Sequence, residues 1–201
     1  MGIPTDITLY TATTPNGVKI STLLEELGLE YKVIAIDMSI TEQKAPWFFE
    51  INPNGRIPAI TDKWTDESDI RVSESGAILQ YLVDRYDKDH KGFLFWQMGG
   101  VGPMQGQANH FVKFAPEKIQ YGIDRYINET RRLYSVLDAQ LAKSTSGFIV
   151  GDRVTIADFA LFGWIAGHDY TGVSLDEFSH IDKWLKTLSE RLAFQKGWQV
   201  P

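Results

Sequence analysis

Three clusters in the first 76 residues carry the groups best suited to chemistry: Thr13-Thr14-Pro15-Asn16-Gly17, Asn52-Pro53-Asn54-Gly55-Arg56-Ile57-Pro58 and Ser73-Glu74-Ser75-Gly76. The first follows an apolar strand pattern, the second reads as a turn, and the third stands before a helical pattern. Each places polar groups where backbone N–H groups point outward, and such places meet small anionic ligands. Thr14 and Asn16 fall at a helix start, where the Asn amide adds a donor and the helix dipole favours negative charge. A thiolate is one anion that such a terminus stabilises. Each cluster alone also reads as ordinary capping or turn chemistry. The three in this order favour a ligand role.

The elements that must position these clusters are legible from periodicity. Ile7 to Tyr10 reads as a short strand, and Ile20, Leu23, Leu24 and Leu27 as one face of a helix stopped by Gly28. Pro15 suits the first turn of that helix, where its missing N–H would be unpaired anyway. Tyr31 to Ile36 predicts a second strand and Ala45 to Ile51 a short irregular helix. Ala59 to Thr61 and Ile70 to Val72 predict a hairpin, and Ala77 to Tyr86 a closing helix. This βαβ–α–ββα order is the thioredoxin-like arrangement. Tyr10, at a strand end, reads as packed rather than catalytic.

From about Phe93 the strand signals stop. Ile123, Tyr126, Ile127, Leu133, Tyr134, Leu137 and Leu141 line one long helix, and Ile181, Trp184, Leu185, Leu188 and Leu192 another. Between them Ile156 to Ala166 is apolar nearly all round, which predicts a helix buried inside a bundle. Thr155 and Asp158 form a capping box at its start, with Val154 and Phe159 spaced as a hydrophobic staple. Gly99, Gly100, Gly102, Pro103 and Gly106 are expected to interrupt a helix and open space beside Met98, Met104, Phe111 and Phe114. The expected division is 1–86 for an α+β domain, 87–92 for a linker and 93–201 for an all-helical domain.

Composition narrows the partners. A chain of 201 residues with 43% hydrophobic residues buries a substantial core. A net charge of −6 offers no basic patch, so nucleic acid is not an expected partner. No apolar run reaches the roughly 18–20 residues of a membrane span, and the start lacks the pattern of a signal peptide. A cytoplasmic protein is expected. The four histidines have no metal-ligand spacing, so no metal is expected. The chain has no cysteine, which removes disulfides, thiolate metal sites and a protein thiol nucleophile. Any thiol chemistry here must use sulfur brought by a ligand.

The order and spacing of the three clusters resemble the glutathione-binding domain of the glutathione transferase superfamily. Thr-Pro-Asn-Gly is most similar to its Nu-class and fungal nitrogen-regulator-like branch. Phe95-Trp96-Gln97-Met98-Gly99-Gly100 through Gln107-Ala108-Asn109-His110-Phe111 and the capped buried helix resemble the same branch, so the likeness spans almost the entire chain. It implies an α+β thioredoxin-like domain followed by an all-α bundle, glutathione as cosubstrate and a homodimer. It implies that Thr14 and Asn16 contact the glutathione sulfur and that Pro58 is cis, with the Ile57 main chain pairing the cysteinyl part. Arg56 and Gln43 are matched toward a ligand carboxylate, Ser75 to the γ-glutamyl carboxylate and Glu74 to the ligand ammonium. Arg132 is matched to an arginine that approaches the site, although a solvated helix face also fits it; neighbouring Arg131 matches less well. Asp87 to Gly92 is six residues where relatives carry more, which implies a shorter first helix in the second domain. The implied activity is glutathione-dependent disulfide reduction, with peroxide reduction or conjugation to an electrophile also open. The alternative is a regulatory or ligand-binding protein of the same fold. No Asn/Gln-rich segment precedes the first strand, so prion behaviour is not expected.

Overall fold

A computed structural model describes residues 2–64, 66–86 and 94–201. The expectation about the 87–92 linker lies outside the described residues. The chain forms two compact units, residues 1–90 with 190–201, and residues 91–189.

The first unit is a four-stranded sheet with helices. Strand β1 (Thr8–Thr11) leads into helix α1 (Pro15–Glu26), then β2 (Lys32–Ala35). Two short 3₁₀ turns, Met38–Ile40 and Glu42–Lys44, precede α2 (Pro46–Phe49). Strands β3 (Ala59–Lys63) and β4 (Asp69–Ser73) and helix α3 (Ser75–Tyr86) follow. The sheet order is β2-β1-β3-β4, with β1 and β2 parallel and the other pairs antiparallel. This is the expected thioredoxin-like order, with boundaries moved by a residue or two.

Helix α1 ends where Gly28 adopts φ +64°, a left-handed conformation that glycine takes without penalty. Leu9, Ile20, Leu24, Ile60, Ile78, Leu79 and Leu82 are fully buried and form the core. Burial of each such side chain stabilises by about 1.5–3 kcal/mol. Tyr10 packs in a second cluster with Ile36, Phe48 and Ala59, its ring edge-on to Phe48.

The second unit is helical throughout its regular structure among the described residues. It comprises α4 (Leu94–Trp96), α5 (Gly102–Asn109), α6 (Gln120–Ala142), α7 (Ile156–Ala166) and α8 (Ser179–Ser189). The glycine-rich stretch was expected to break the helix and does not. Residues 97–101 form a wide turn in which Gly102 N–H reaches the Gln97 carbonyl five residues back, and α5 continues from it. The turn falls directly before Pro103, whose ring would crowd a regular preceding turn. Two of the glycines serve close packing instead: a Cβ on Gly100 would lie 3.3 Å from Leu133, and one on Gly102 would lie 2.8 Å from Gln97 Nε2.

Helix α7 is buried almost all round, as its composition predicts. Both halves of its capping box are present. Residues 190–201, expected with the helical domain, belong to the first unit. Their helix α9 (Leu192–Trp198) lies so close to α1 that a Cβ on Gly197 would sit 2.5 Å from Thr22 Cα. Ser21 donates to the Gly197 carbonyl at 2.6 Å, and Arg191 pairs with Glu26.

Candidate functional site

The sheet register brings the three polar clusters to one end of the first unit. Tyr10 stands opposite Ala59 and Ala59 opposite Ser73, across three adjacent strands. Thr14 and Asn16 follow β1 within a few residues, Pro58 directly precedes β3, and Glu74 and Ser75 directly follow β4. Neighbouring strands lie about 4.8 Å apart, so the row spans about 10 Å, the length of an extended tripeptide.

At the first position Thr14 is the N-cap of α1, and its Oγ1 accepts from Gly17 N–H at 3.1 Å. The Thr14 carbonyl accepts from Val18 N–H at 3.0 Å, and Pro15 brings no N–H. Asn16 carries the side-chain donors of this first turn. Gly17 is required here, since a Cβ would lie 2.4 Å from both the Ala12 carbonyl and Thr11 Oγ1.

The second position is a turn organised by Asn52, which is buried. Its Nδ2 donates to the Arg56 carbonyl at 2.7 Å and its Oδ1 accepts from Asn54 N–H at 3.0 Å. Its own carbonyl accepts from Gly55 N–H at 2.8 Å. The Ile57-Pro58 bond is cis. Arg56 is exposed, Ile57 half-buried and Pro58 buried. Gly55 takes φ +59° against Phe49 and the Gln43 carbonyl, which ties the turn to residues 42–44. Gln43 is buried, and its Oε1 has no hydrogen-bond partner among the described residues. A buried polar atom of this kind marks a place where a ligand group can complete the bonding.

At the third position Glu74 adopts φ +70°, a left-handed backbone rare for a residue with a side chain. Asn54 Nδ2 donates to Glu74 Oε1 at 3.3 Å and so links the second and third clusters. Ser75 opens α3 and is buried. Its Oγ accepts from Lys19 Nζ at 3.2 Å. Lys19 is 1% exposed, and burial pushes its ammonium down to about 7.

Residues 5–84 match the family described as glutathione S-transferase, N-terminal domain, and residues 103–191 match glutathione S-transferase, C-terminal domain. The chain belongs to the glutathione S-transferase family. It is 38% identical to the disulfide-bond oxidoreductase YfcG of Escherichia coli (strain K12), over 93% of this chain and 92% of the relative. It is 34% identical to the transcriptional regulator URE2 of Saccharomyces cerevisiae, over 91% of this chain and 64% of the relative. Among solved structures, a glutathione transferase homolog from Lodderomyces elongisporus with two GSH per subunit matches with a TM-score of 0.91 and 45% identity, over 98% of this chain and 99% of that one. These likenesses place the chain in the Ure2-like branch, as its Thr-Pro-Asn-Gly motif implied.

In this family member the first unit gathers Thr14, Asn16, Gln43, Arg56, Ile57, Glu74 and Ser75 as described. Arg132 lies in the second unit on α6, mostly exposed and paired with Glu129 at 2.8 and 2.7 Å. It borders a cleft of about 710 Å³ with Met104, Tyr121, Arg125, Tyr126 and Glu129. Arg131 pairs with Glu177 at 2.8 Å. Two residues at the site were not singled out from the sequence. Asn52 was visible as part of an Asn-Pro-Asn-Gly turn. Lys19 had one signal, its place four residues before Leu23 on the buried face of α1. Among the described residues, no group of three or more His, Asp or Glu is placed to hold a metal, and no helix is long and apolar enough to cross a membrane.

Proposed function

We propose that this protein is a glutathione-dependent disulfide reductase. One observation carries the reading: three donor-rich backbone positions line one sheet end within tripeptide reach, in a chain without cysteine. The likeness to a disulfide-bond oxidoreductase and to a structure with two glutathiones per subunit supports it. Asn16, with the start of α1 capped by Thr14, faces the glutathione sulfur and favours its thiolate. The Ile57 main chain, exposed by the cis turn, pairs the cysteinyl backbone. Gln43 and Arg56 take the glycine carboxylate; turning the Gln43 amide presents an N–H to it. Ser75 takes the γ-glutamyl carboxylate and Glu74 the ammonium. Arg132 belongs to the same proposal as a ligand-binding residue.

The chemistry balances without a protein thiol. A glutathione thiolate attacks one sulfur of a disulfide, forming a mixed disulfide and releasing a thiolate that takes up a proton. A second glutathione thiolate attacks the mixed disulfide at the glutathione sulfur, giving oxidised glutathione and the second thiol. Two glutathiones are oxidised and one disulfide is reduced.

The test is glutathione-dependent reduction of hydroxyethyl disulfide beside chlorodinitrobenzene conjugation. Disulfide turnover well above the uncatalysed exchange is expected; a rate equal to background refutes the reductase. The likeness to URE2 favours a second reading, a regulatory binder, which predicts glutathione binding with no turnover in either assay. A homodimer forms part of the proposal and is read by light scattering.

The backbone at Glu74 gives a separate prediction. Holding a residue with a Cβ at φ +70° costs of order 1 kcal/mol or more, and glycine removes that cost. A Glu74→Gly variant is expected to melt at or above the temperature of the unaltered protein while binding glutathione about tenfold more weakly, the loss of one charge-assisted contact. Calorimetry with titration measures both. Unchanged affinity would remove Glu74 from the site.

A further inference from the structure

The chain has two Asn-Gly pairs, Asn16-Gly17 and Asn54-Gly55. Asparagine before glycine is open to an intramolecular reaction, because no Cβ on the next residue obstructs the approach of its backbone nitrogen to the Asn side-chain carbon. The two pairs are held differently. Asn16 is half-buried in the first turn of α1, where Gly17 N–H donates to Thr14 Oγ1 and a Cβ on Gly17 would lie 2.4 Å from the Ala12 carbonyl. Ring closure there would have to unwind the start of a helix. Asn54 is exposed, in a four-residue turn that Gly55 N–H closes on the Asn52 carbonyl at 2.8 Å. One hydrogen bond holds that nitrogen in the turn. Lys44 Nζ donates at 3.2 Å to the Asn54 carbonyl, the oxygen of the same peptide group that carries the Gly55 nitrogen. A positive charge at that oxygen favours the deprotonated amide, which is the attacking form.

We propose that Asn54 is a self-modification site, converting to aspartate and isoaspartate with loss of ammonia, and that the conversion weakens glutathione binding; the second half rests on the reading of the site given above. The Gly55 nitrogen bonds to the Asn54 side-chain carbon Cγ as the Cγ–Nδ2 bond breaks, and ammonia leaves with the Gly55 amide proton. Water then opens the cyclic imide. Breaking the bond to Cγ gives aspartate. Breaking the bond to the main-chain carbonyl carbon gives isoaspartate, whose chain runs on through Cγ. Nothing is oxidised or reduced: one water is consumed, one ammonia is released, and the product carboxyl gives up a proton. Asn54 Nδ2 donates to Glu74 Oε1 at 3.3 Å before the change. A carboxylate in its place has no proton to donate and repels Glu74, the residue proposed for the ligand ammonium. Isoaspartate also puts one more carbon into the main chain ahead of Gly55. That glycine has no room to shift, since a Cβ on it would lie 2.8 Å from Phe49 and 2.9 Å from the Gln43 carbonyl. Arg56 and Ile57 follow directly, so the disturbance reaches the second cluster.

For the test, purified protein is kept warm at mildly alkaline pH, then digested and read by mass spectrometry, with isoaspartate labelled by an isoaspartyl methyltransferase. Asn54 is expected to gain the mass of an amide-to-acid change several-fold faster than Asn16, and Lys44→Met is expected to slow it; an unchanged rate in that variant removes Lys44 from the reaction. The converted fraction, separated by its added negative charge, is expected to bind glutathione about tenfold more weakly, the scale of one charged contact. An Asn54→Ser variant cannot form the imide and is expected to keep its starting affinity through the same treatment. Asn54 left intact when a short peptide of residues 50–60 has fully converted overturns the proposal, and so does faster conversion at Asn16. Converted protein of unchanged affinity, or an Asn54→Ser protein that loses affinity as fast, overturns the consequence for binding. If the fresh protein binds no glutathione, the functional reading fails and that consequence falls with it, while the mass measurement still decides the modification.

Discussion

An Asn16→Ala variant is expected to lose about a hundredfold in kcat/KM for hydroxyethyl disulfide reduction, the usual loss when one donor to a developing or stabilised anion is removed. The first turn of α1 shows why the effect concentrates on this residue. Gly17 N–H is taken by Thr14 Oγ1 and Val18 N–H by the Thr14 carbonyl, while Pro15 has no N–H. Asn16 alone adds side-chain N–H donors to the turn. The chain offers no cysteine as an alternative nucleophile, so the proposed reaction relies on the glutathione thiolate and on donors of this kind. The fold should survive, because the cap at Thr14 and the close approach at Gly17 do not involve the Asn16 amide. An Asn16→Asp variant sharpens the test: a carboxylate beside the sulfur raises the thiol pKa and moves the activity profile to higher pH. If Asn16→Ala keeps more than about a third of the activity, Asn16 does not hold the sulfur, since a single neutral contact already accounts for that much.

Most of this site was legible because its parts are local. A helix N-terminus, an Asn-Pro-Asn-Gly turn and a Ser-Glu-Ser-Gly start are short patterns, and strand order decides whether they meet. The alternation of β3 and β4 gave their pairing, and the pairing carries Pro58 and Ser75 to the same sheet end as Asn16. What escaped depends on contacts between distant residues. Lys19 looks like any helical lysine until α3 places Ser75 against it, 56 residues away. Helix α9 reads as a continuation of the helical half, because nothing local says that Gly197 must fit against Thr22. The glycines at 99–106 were read as punctuation, which follows from their helix penalty of about 1 kcal/mol each. That penalty is offset where the missing side chain makes room for Leu133 beside Gly100 and for the Gln97 side chain beside Gly102. Composition records the glycine and not the neighbour that requires it.

The second unit hangs on one buried carboxylate, and Asp158→Ala is expected to destabilise it by about 3–5 kcal/mol. Asp158 is fully buried. Its Oδ2 accepts from Thr155 N–H at 2.9 Å and Thr155 Oγ1 at 3.1 Å. Its Oδ1 accepts from Trp184 Nε1 at 2.8 Å and Ile149 N–H at 3.2 Å. One side chain thus ties the start of α7 to the loop before it and to α8. Burial drives the carboxyl pKa upward, and these four donors act against that rise. Alanine leaves all four donors without their acceptor in a site closed to water, whereas Thr155→Ala removes one cap and should cost about 1 kcal/mol. For a chain of this size the expected fall in Tm is about 10 °C for Asp158→Ala and a few degrees for Thr155→Ala. Asp158→Asn should lie between them: its oxygen still satisfies one pair of donors, but its amide N–H turns toward the other pair. Thermal unfolding of the three variants orders them directly. An Asp158→Ala protein that melts within about 2 °C of the unaltered one would mean that the donors find other partners, because their loss should exceed what a single cap contributes.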